Sequence, residues 1–316
     1  MPHIASTETL KDLAIGIGIT SILFAITLQS PIFGFFCTAC IPLPTLYYRA
    51  KLGRKVGMLV PVLALFVLVL MLGGISLDIL YFVELVLIGF VLSELYELNL
   101  SIEKTMTLTS AAVVTAGLVV LFAYATAAAI GIETLVSEYV RKNIETTIAL
   151  YGGMGMPEEN LILIQESLDN IQYVLVRIIP ALTVASVLFL AWTSLLLSRP
   201  LLKRSDLFYP DFGPLNLWKS PEHLVWIAIG CGLMLLIPVP ALRLLGINGL
   251  LVLMMVYFFQ GIAIVSFYFE KKRFPRILRV FLYSLIALQQ MVLLVIIGLG
   301  FFDMWFNFRK LGVNKK

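Results

Sequence analysis

Long runs of apolar residues, separated by short polar or basic segments, make up most of the chain on either side of a polar middle stretch. The runs are continuous rather than alternating, and many approach the roughly 20 residues that a helix needs to cross a bilayer. The middle stretch, residues 133–180, is charged, helically periodic and broken by glycines at 152–155. The pattern therefore predicts two hydrophobic halves joined by a segment that lies in water or at a membrane surface.

The predicted fold class is all-α, a polytopic transmembrane helix bundle of eight or nine spans. In chain order, the predicted spans are 11–29, 32–48, 56–72, 77–95, 104–130, 173–197, 225–236, 250–269 and 280–302. Pro238 and Pro240 are expected to break or kink the seventh span, and Gly246–Gly249 to form an external turn before the eighth. The fifth run is rich in alanine, which lets helices approach closely, so we expect it at the centre of the bundle.

The polar stretch predicts an extracytoplasmic amphipathic helical hairpin. Its first part places Leu135, Ile144 and Ile148 on one side, with Arg141 and Glu145 on the other, a pattern typical of a helix on a membrane surface. The chain accordingly divides into three predicted parts. These are an N-terminal bundle (1–131), the extracytoplasmic hairpin (132–172) and a C-terminal transmembrane bundle (173–316).

The basic loops predict the orientation of the chain. Lysine and arginine are concentrated at 49–55, 199–204 and 271–279, and such short basic loops are cytoplasmic by the positive-inside rule. A nine-span count then puts the tail, 303–316, outside, although the tail is itself basic. Either the first two runs do not both cross, or the tail is an exception, or one span in the second half is miscounted.

Composition supports a membrane location and excludes several other classes. The chain is 60% hydrophobic and 13% charged with a mean hydropathy of +0.99, whereas a soluble domain has about 25% charged residues. The net charge of +4 reflects short basic loops, so no nucleic-acid partner is expected. No cleavable signal is expected, because the first residues lack a basic region and a small-residue cleavage site. We expect a multi-pass protein of the cell inner (plasma) membrane, in contact with the lipid bilayer.

No motif in the sequence predicts catalysis. The two histidines lie at position 3 and at a span entrance, and no zinc-protease, nucleophile-elbow or phosphate-loop pattern is present. Cys37 and Cys40 have CxxC spacing but lie in an apolar helix with no histidine nearby, so packing is the better interpretation. We therefore expect no enzyme activity, no metal site and no cofactor.

The candidate binding residues are polar groups placed inside predicted spans. Glu84 and Arg177 each have apolar neighbours on both sides, and a charge in hydrocarbon is costly unless it faces a cavity or a partner. Each lies one to two turns below the outer surface, so they are candidates for a buried ion pair or a substrate site, against the alternative that each reaches the interface separately. Gln260 joins them as a candidate, with helix–helix hydrogen bonding as its simpler role.

The end of the last predicted span combines an acid, aromatic residues and an arginine. Asp303, Trp305 and Arg309 lie in the segment 300–310, and aromatic residues are enriched where helices meet the membrane interface. The segment is predicted to be an interfacial anchor, with Asp303 and Arg309 fixing the end of the span by a hydrogen bond or a salt bridge.

Four segments together resemble a known family. These are Arg177–Ala181, the approach Trp218–Pro221, Gln260-Gly261 within a span, and the closing Gly300–Arg309. They are similar to the YybS-like family of predicted bacterial membrane proteins, a domain of unknown function. That family is distantly similar to the substrate-binding S components of energy-coupling-factor transporters and to the rod-shape protein MreD. The chain is longer than those relatives, and its first span has only Ala14 and Gly18 where S components space alanines to contact a membrane partner.

The resemblance implies an N-terminal bundle similar to an S component, and thus binding or transport of a small molecule from outside. It also implies partners, either other membrane subunits or a separate ATPase module, because the chain encodes no ATP-driven motor. The alternative is a structural or assembly partner in the cell envelope without a substrate. Polar groups converging on Glu84 and Arg177 favour the first function, and a packed bundle with a small-residue outer face favours the second.

Overall fold

The computed structural model describes residues 7–74, 76–155 and 157–310, so the last six residues of the tail lie outside it. Within these ranges the chain is helical and contains no strand, which confirms the all-α prediction. The helices are α1 (Thr7–Gln29), α2 (Pro31–Cys40), α3 (Pro42–Gly57), α4 (Leu59–Leu72), α5 (Leu77–Glu97), α6 (Ile102–Ala127), α7 (Ile132–Gly153), α8 (Glu158–Glu166), α9 (Leu168–Arg204), α10 (His223–Leu236), α11 (Pro240–Lys271), α12 (Arg276–Leu288) and α13 (Gln290–Phe306), with a 3-10 turn at Leu215–Leu217.

Local sequence sets several of the helix ends. Ser101 caps α6 by accepting a hydrogen bond from the Lys104 N–H, which satisfies one of the free donors of a first turn. Gly73 ends α4 in the left-handed conformation that glycine adopts without steric cost. Proline opens α11 at Pro240, where its missing N–H costs nothing. The predicted break at Pro238 and Pro240 is therefore confirmed.

Five helices are long and apolar enough to cross a membrane: α1, α5, α6, α9 and α11. Two further pairs qualify only as bent spans: residues 36–57 with α4, bent by 89°, and α12 with α13, bent by 101°. The described residues thus provide five to seven candidate spans by length and composition, and the predicted eight or nine are not confirmed. The number of candidate spans is smaller than predicted for two reasons. Helices α4 and α10 are only 14 residues long, and the predicted span 280–302 is interrupted at Gln289.

The external turn predicted at Gly246–Gly249 was wrong, because α11 continues through it without a break. Both glycines face Cys231 of α10, and a Cβ at Gly246 would lie 2.6 Å from the Cys231 carbonyl oxygen. The glycines are therefore packing residues that bring α10 and α11 together, rather than turn residues. The buried Cys231 fits the packing role expected for the cysteines.

The chain forms two compact units. The first comprises Met1–Tyr139 and Ser186–Asp211, and the second comprises Val140–Ala185 and Phe212–Lys316. Two helices, α7 and α9, contribute residues to both units. The three-part division predicted from the sequence stays a prediction.

The first unit is built around α5, which packs on α3, α4 and α6, while α1 packs on α2, α3 and α4. The Phe24 and Phe82 rings meet edge to face with centroids 4.9 Å apart, and Leu85, Ile88 and Leu92 of α5 are fully buried. Gly89 lies against the Pro42 carbonyl oxygen, so α5 and α3 touch through their backbones. Close backbone contact of this kind is the usual way in which helices pack in lipid.

The second unit is built around α11, which packs on α10, α13 and the 3-10 turn. Its apolar core consists of Val225, Ala228, Leu253 and Tyr257. Gly261 of α11 and Gly300 of α13 face each other, and a Cβ added at Gly300 would collide with the Tyr257 carbonyl oxygen and lie 2.9 Å from the Gly261 nitrogen. The α11–α13 crossing thus depends on two residues that have no side chain.

Large apolar side chains are exposed along the candidate spans. Examples are Ile22 of α1, Phe66 of α4 and Val119 and Phe122 of α6, all at least 58% exposed, and Trp226 of the shorter apolar helix α10 is 65% exposed. Threonine hydroxyls of α1, α2 and α6 donate to the carbonyl four residues earlier, as Thr20, Thr38, Thr105 and Thr109 do. These features fit helices surrounded by lipid, where a polar group must be satisfied inside the protein.

Replacing Gly300 with alanine tests the α11–α13 crossing. The new Cβ would collide with the Tyr257 carbonyl oxygen, which is backbone and cannot move away cheaply. We expect a loss of roughly 1–3 kcal/mol in unfolding free energy, as for other overpacked sites. Denaturant titration of the detergent-solubilised protein measures it.

Gly298→Ala is the matched control, because no atom lies within 4 Å of its added Cβ. That variant should be neutral or slightly more stable, since alanine is the better helix former. Equal stability of the two variants would show that the close crossing is not needed.

Candidate functional site

Glu84 is the candidate site in the first unit. It lies on α5 about 10 Å from the helix start at 1.5 Å per residue, and its side chain is half-buried. The carboxyl group lies over Gly117 of α6, with its Cδ 3.3 Å from the place that a Cβ would take. Among the described residues it has neither a hydrogen-bond nor a salt-bridge partner.

A second charged cluster in the first unit is fully paired. Arg49 of α3 is 2% exposed, and its guanidinium is 2.6 Å from the Glu94 carboxylate and also bonded to Glu97. Arg54 approaches the other Glu94 oxygen at 3.5 Å. Sequence analysis missed this cluster because its members lie near predicted span ends, where a charge needs no explanation. The cluster joins α3 to α5, and the charges of its two arginines balance those of its two glutamates.

Arg177 of α9 is satisfied within its own helix. Its guanidinium carbon lies 3.4 Å from the centre of the Tyr173 ring, and its Nη1 donates to the Tyr173 carbonyl at 3.1 Å. The aromatic face and the carbonyl both favour the cation. Glu84 and Arg177 belong to different compact units, and their pairing stays a prediction.

Asn248 of α11 is bonded to the backbone of α9, a contact that sequence analysis missed. Its Oδ1 accepts from the Ala181 N–H, and its Nδ2 donates to the Arg177 carbonyl, both at 3.1 Å. Pro180, between the two, has no N–H of its own. One amide side chain thus links two helices of the second unit at the proline. An asparagine within an apolar run could have indicated this contact, but the wrong turn prediction at Gly246–Gly249 assigned Asn248 to a turn.

The strongest polar cluster in the second unit is the Asp303–Arg309 ion pair. Arg309 Nη2 is 2.8 Å from Asp303 Oδ2, and both side chains are fully buried. Arg309 Nη1 also donates to the carbonyls of Asn216 and Trp218, at 2.9 and 2.8 Å. The salt bridge predicted between Asp303 and Arg309 is therefore present, and it closes the end of α13.

Gln260 extends this ion pair into a network. Its Nε2 donates to Asp303 Oδ2 at 3.3 Å, while its Oε1 accepts from the Ser220 N–H at 3.2 Å and from the Ser220 hydroxyl. The other Asp303 oxygen accepts from the Phe308 N–H at 2.9 Å. Three of the six candidate residues, Gln260, Asp303 and Arg309, thus lie in one network, and a fourth, Trp305, lies in the same segment as Asp303 and Arg309. Trp305 is 50% exposed, and its role as an interfacial anchor stays a prediction.

The two ion-pair clusters and the Glu84 carboxyl group differ in what they can do chemically. The Asp303 and Arg49 clusters have charge and hydrogen bonds largely balanced within the protein, which suits a structural role. Glu84 presents a carboxyl group that has no partner in the part of the chain that the structure describes, which suits contact with a ligand. No group of three or more histidine, cysteine or acidic residues in the described part of the chain has the geometry to hold a metal ion.

The apolar helices and internally paired charges define a multi-pass helical membrane protein. Residues 18–304 match a family described as a predicted membrane protein family (DUF2232), and the chain belongs to this family. It is similar to the uncharacterized protein YybS of Bacillus subtilis (strain 168), with 24% identity over 311 residues that cover 96% of this chain and 98% of the relative. The resemblance found in the sequence is thereby confirmed. No solved structure matches the chain.

Removing Arg309 tests the buried ion pair. Arg309→Met leaves the Asp303 carboxylate buried without its cation, so we expect a loss of roughly 3–5 kcal/mol in unfolding free energy. The double variant Asp303→Asn/Arg309→Met should recover part of that loss, because no isolated charge remains. Chemical denaturation in detergent measures both.

Glu145→Gln is the control, since it breaks the exposed Arg141–Glu145 pair, and exposed pairs contribute about 0–1 kcal/mol. If the single and double variants lost the same free energy, the two side chains would not be coupled.

Proposed function

We propose that this chain is a multi-pass protein of the bacterial inner membrane that binds or moves a small molecule, with Glu84 as the polar contact. The observation that carries the proposal is the Glu84 carboxyl group, which lies inside an apolar helix with no hydrogen-bond or ion-pair partner among the described residues. Ionisable groups kept inside membrane helices usually serve a solute or proton path. A carboxylate in that position favours a solute that is cationic or that donates hydrogen bonds.

The contact between Glu84 and Gly117 supports this proposal. A glycine at that position of α6 leaves room for the carboxyl group beside the helix. Tyr81, one turn before Glu84, donates its hydroxyl hydrogen bond to Thr38 at 3.2 Å rather than to the carboxylate. The carboxyl group therefore keeps its hydrogen-bonding capacity for a ligand.

The proposed topology follows the basic loops. The segments 49–55, 199–204 and 271–279 lie on the cytoplasmic side, and the α7–α8 hairpin lies on the extracytoplasmic side. The hairpin leaves apolar side chains exposed, including Leu150, Met154 and Ile162, as a helix pair resting on a membrane surface would. Transport would require partner proteins, either membrane subunits or a separate ATPase module.

The second candidate function is a structural or assembly role in the cell envelope without a substrate. The observation that favours it is the open space around Gly18 of α1 and around Gly230 and Gly232 of α10, where no atom lies within 4 Å of an added Cβ. Glycines on exposed apolar helices allow another helix to approach closely. Co-purification of envelope proteins with no bound small molecule would support this role.

Glu84→Gln tests the small-molecule proposal. Mass spectrometry of compounds that co-purify with the native chain, followed by thermal-shift titration with cationic, neutral and anionic candidates, identifies the ligand class. We expect a compound that the native chain retains, with at least tenfold weaker binding in the variant, because its charge contact is lost.

Two further variants make the experiment specific. Glu138→Gln makes the same change at an exposed position of α7 and should bind like the native chain. Gly117→Ala keeps the carboxylate but displaces it from α6, and should also weaken binding. A ligand retained equally by all four proteins, or no ligand in any of them, would overturn the proposal.

A further inference from the structure

Three separate chain segments meet at one end of the second unit. The Tyr268 hydroxyl donates to the Phe308 carbonyl at 2.7 Å, and Lys219 Nζ donates to Asn307 Oδ1 at 3.2 Å. Asn216 Nδ2 donates to Glu270 Oε2 at 2.5 Å. The ends of α11 and α13 and the loop before α10 therefore lie together, although they are far apart in sequence.

This end of the unit, which we call the basic end, is defined by six exposed cations: Lys219, Lys271, Lys272, Arg273, Arg276 and Lys310. None of the six forms a salt bridge within the described part of the chain. The acids nearby are too few to balance six cations: Asp303 is paired with Arg309, and Glu270, which accepts a hydrogen bond from the neutral Asn216 amide, keeps a single negative charge. Glu222 is the remaining acid beside these segments. Positive charge is therefore in excess at the basic end.

The local fold holds this charge in place. Arg279 Nε donates to the Phe274 carbonyl at 2.9 Å, and its Nη2 donates to the Phe269 carbonyl at 3.2 Å. The Phe269 ring stacks on Phe274 and meets Tyr283 edge to face, with centroids 5.3 and 5.2 Å apart. The turn that carries four of the six cations is thus fixed between α11 and α12.

Apolar side chains surround the basic end on the same elements. Ile277 and Phe281 of α12 are 86% and 61% exposed, and Trp305 and Phe306 of α13 are also exposed. Cations next to exposed aliphatic and aromatic side chains match the boundary between phosphate headgroups and acyl chains. The combination is suited to a lipid molecule, which carries both kinds of group.

We propose that the basic end binds the phosphate headgroups of anionic phospholipids in the bilayer around the protein. The lipid acyl chains contact the apolar side chains of α12 and α13, and the headgroup phosphates contact the six cations. This proposal does not depend on the Glu84 site, which lies in the other unit. It also explains why Lys310 and the basic α11–α12 turn occur together at one end.

The test compares the full chain with Lys272→Gln/Arg276→Gln by native mass spectrometry and thermal-shift titration with phosphatidylglycerol and phosphatidylcholine. Each cation near an anionic surface changes affinity about fivefold, so the double variant should bind phosphatidylglycerol roughly 25-fold more weakly. Phosphatidylcholine binding should not change. Inorganic phosphate at the same concentration should not displace the lipid.

Lys104→Gln/Lys142→Gln is the matched control, since it removes two exposed cations that are not among the six of the basic end. It should retain phosphatidylglycerol like the native chain. The proposal fails if the native chain retains the two lipids equally, if both double variants lose the same affinity, or if inorganic phosphate competes fully.

Discussion

The constraint on which this structure depends is that polar groups inside an apolar surround must find partners within the protein. Two polar side chains of helix α11 show how that constraint is met. Asn248 satisfies backbone groups of α9 beside Pro180, and Gln260 connects Ser220 to the buried Asp303–Arg309 pair. Directly after Gln260, Gly261 allows α13 to approach. One helix therefore holds the second unit together through hydrogen bonds as well as packing, and each of these contacts is directional where apolar packing alone is not.

The fold class followed directly from the length and continuity of the apolar runs, but the number of spans did not. Hydropathy cannot distinguish a straight span from two short helices joined at a bend, and Gln289, where the break falls, has no sequence signal such as proline. The tail conflict has the same origin. The end of α13 lies beside the end of α11, so Lys310 and the basic α11–α12 turn share one end, which favours the alternative of a miscounted span in the second half.

The candidate residues were recognisable because charge is rare in such a sequence, whereas their partners were not. Asp303 and Arg309 are six residues apart and could be paired from sequence alone. Arg49 with Glu94, and Gln260 with Ser220, are separated by 45 and 40 residues, and only the packing of the helices brings them together. Glycines gave a similar ambiguity, since Gly246 and Gly249 resemble a turn in sequence but serve as contact points in a continuous helix.

The interleaving of the two units along the chain affects biosynthesis. The first unit takes Ser186–Asp211 from a region that follows part of the second unit, so a ribosome must synthesise α7, α8 and all of α9 before the first unit has all its residues. Domains that fold during synthesis usually do so from the N-terminus as contiguous segments. Here helices α1 to α6 would be synthesised and inserted before α9 is made. A chain truncated at any point between residues 140 and 185 would lack the last helical segment of the first unit.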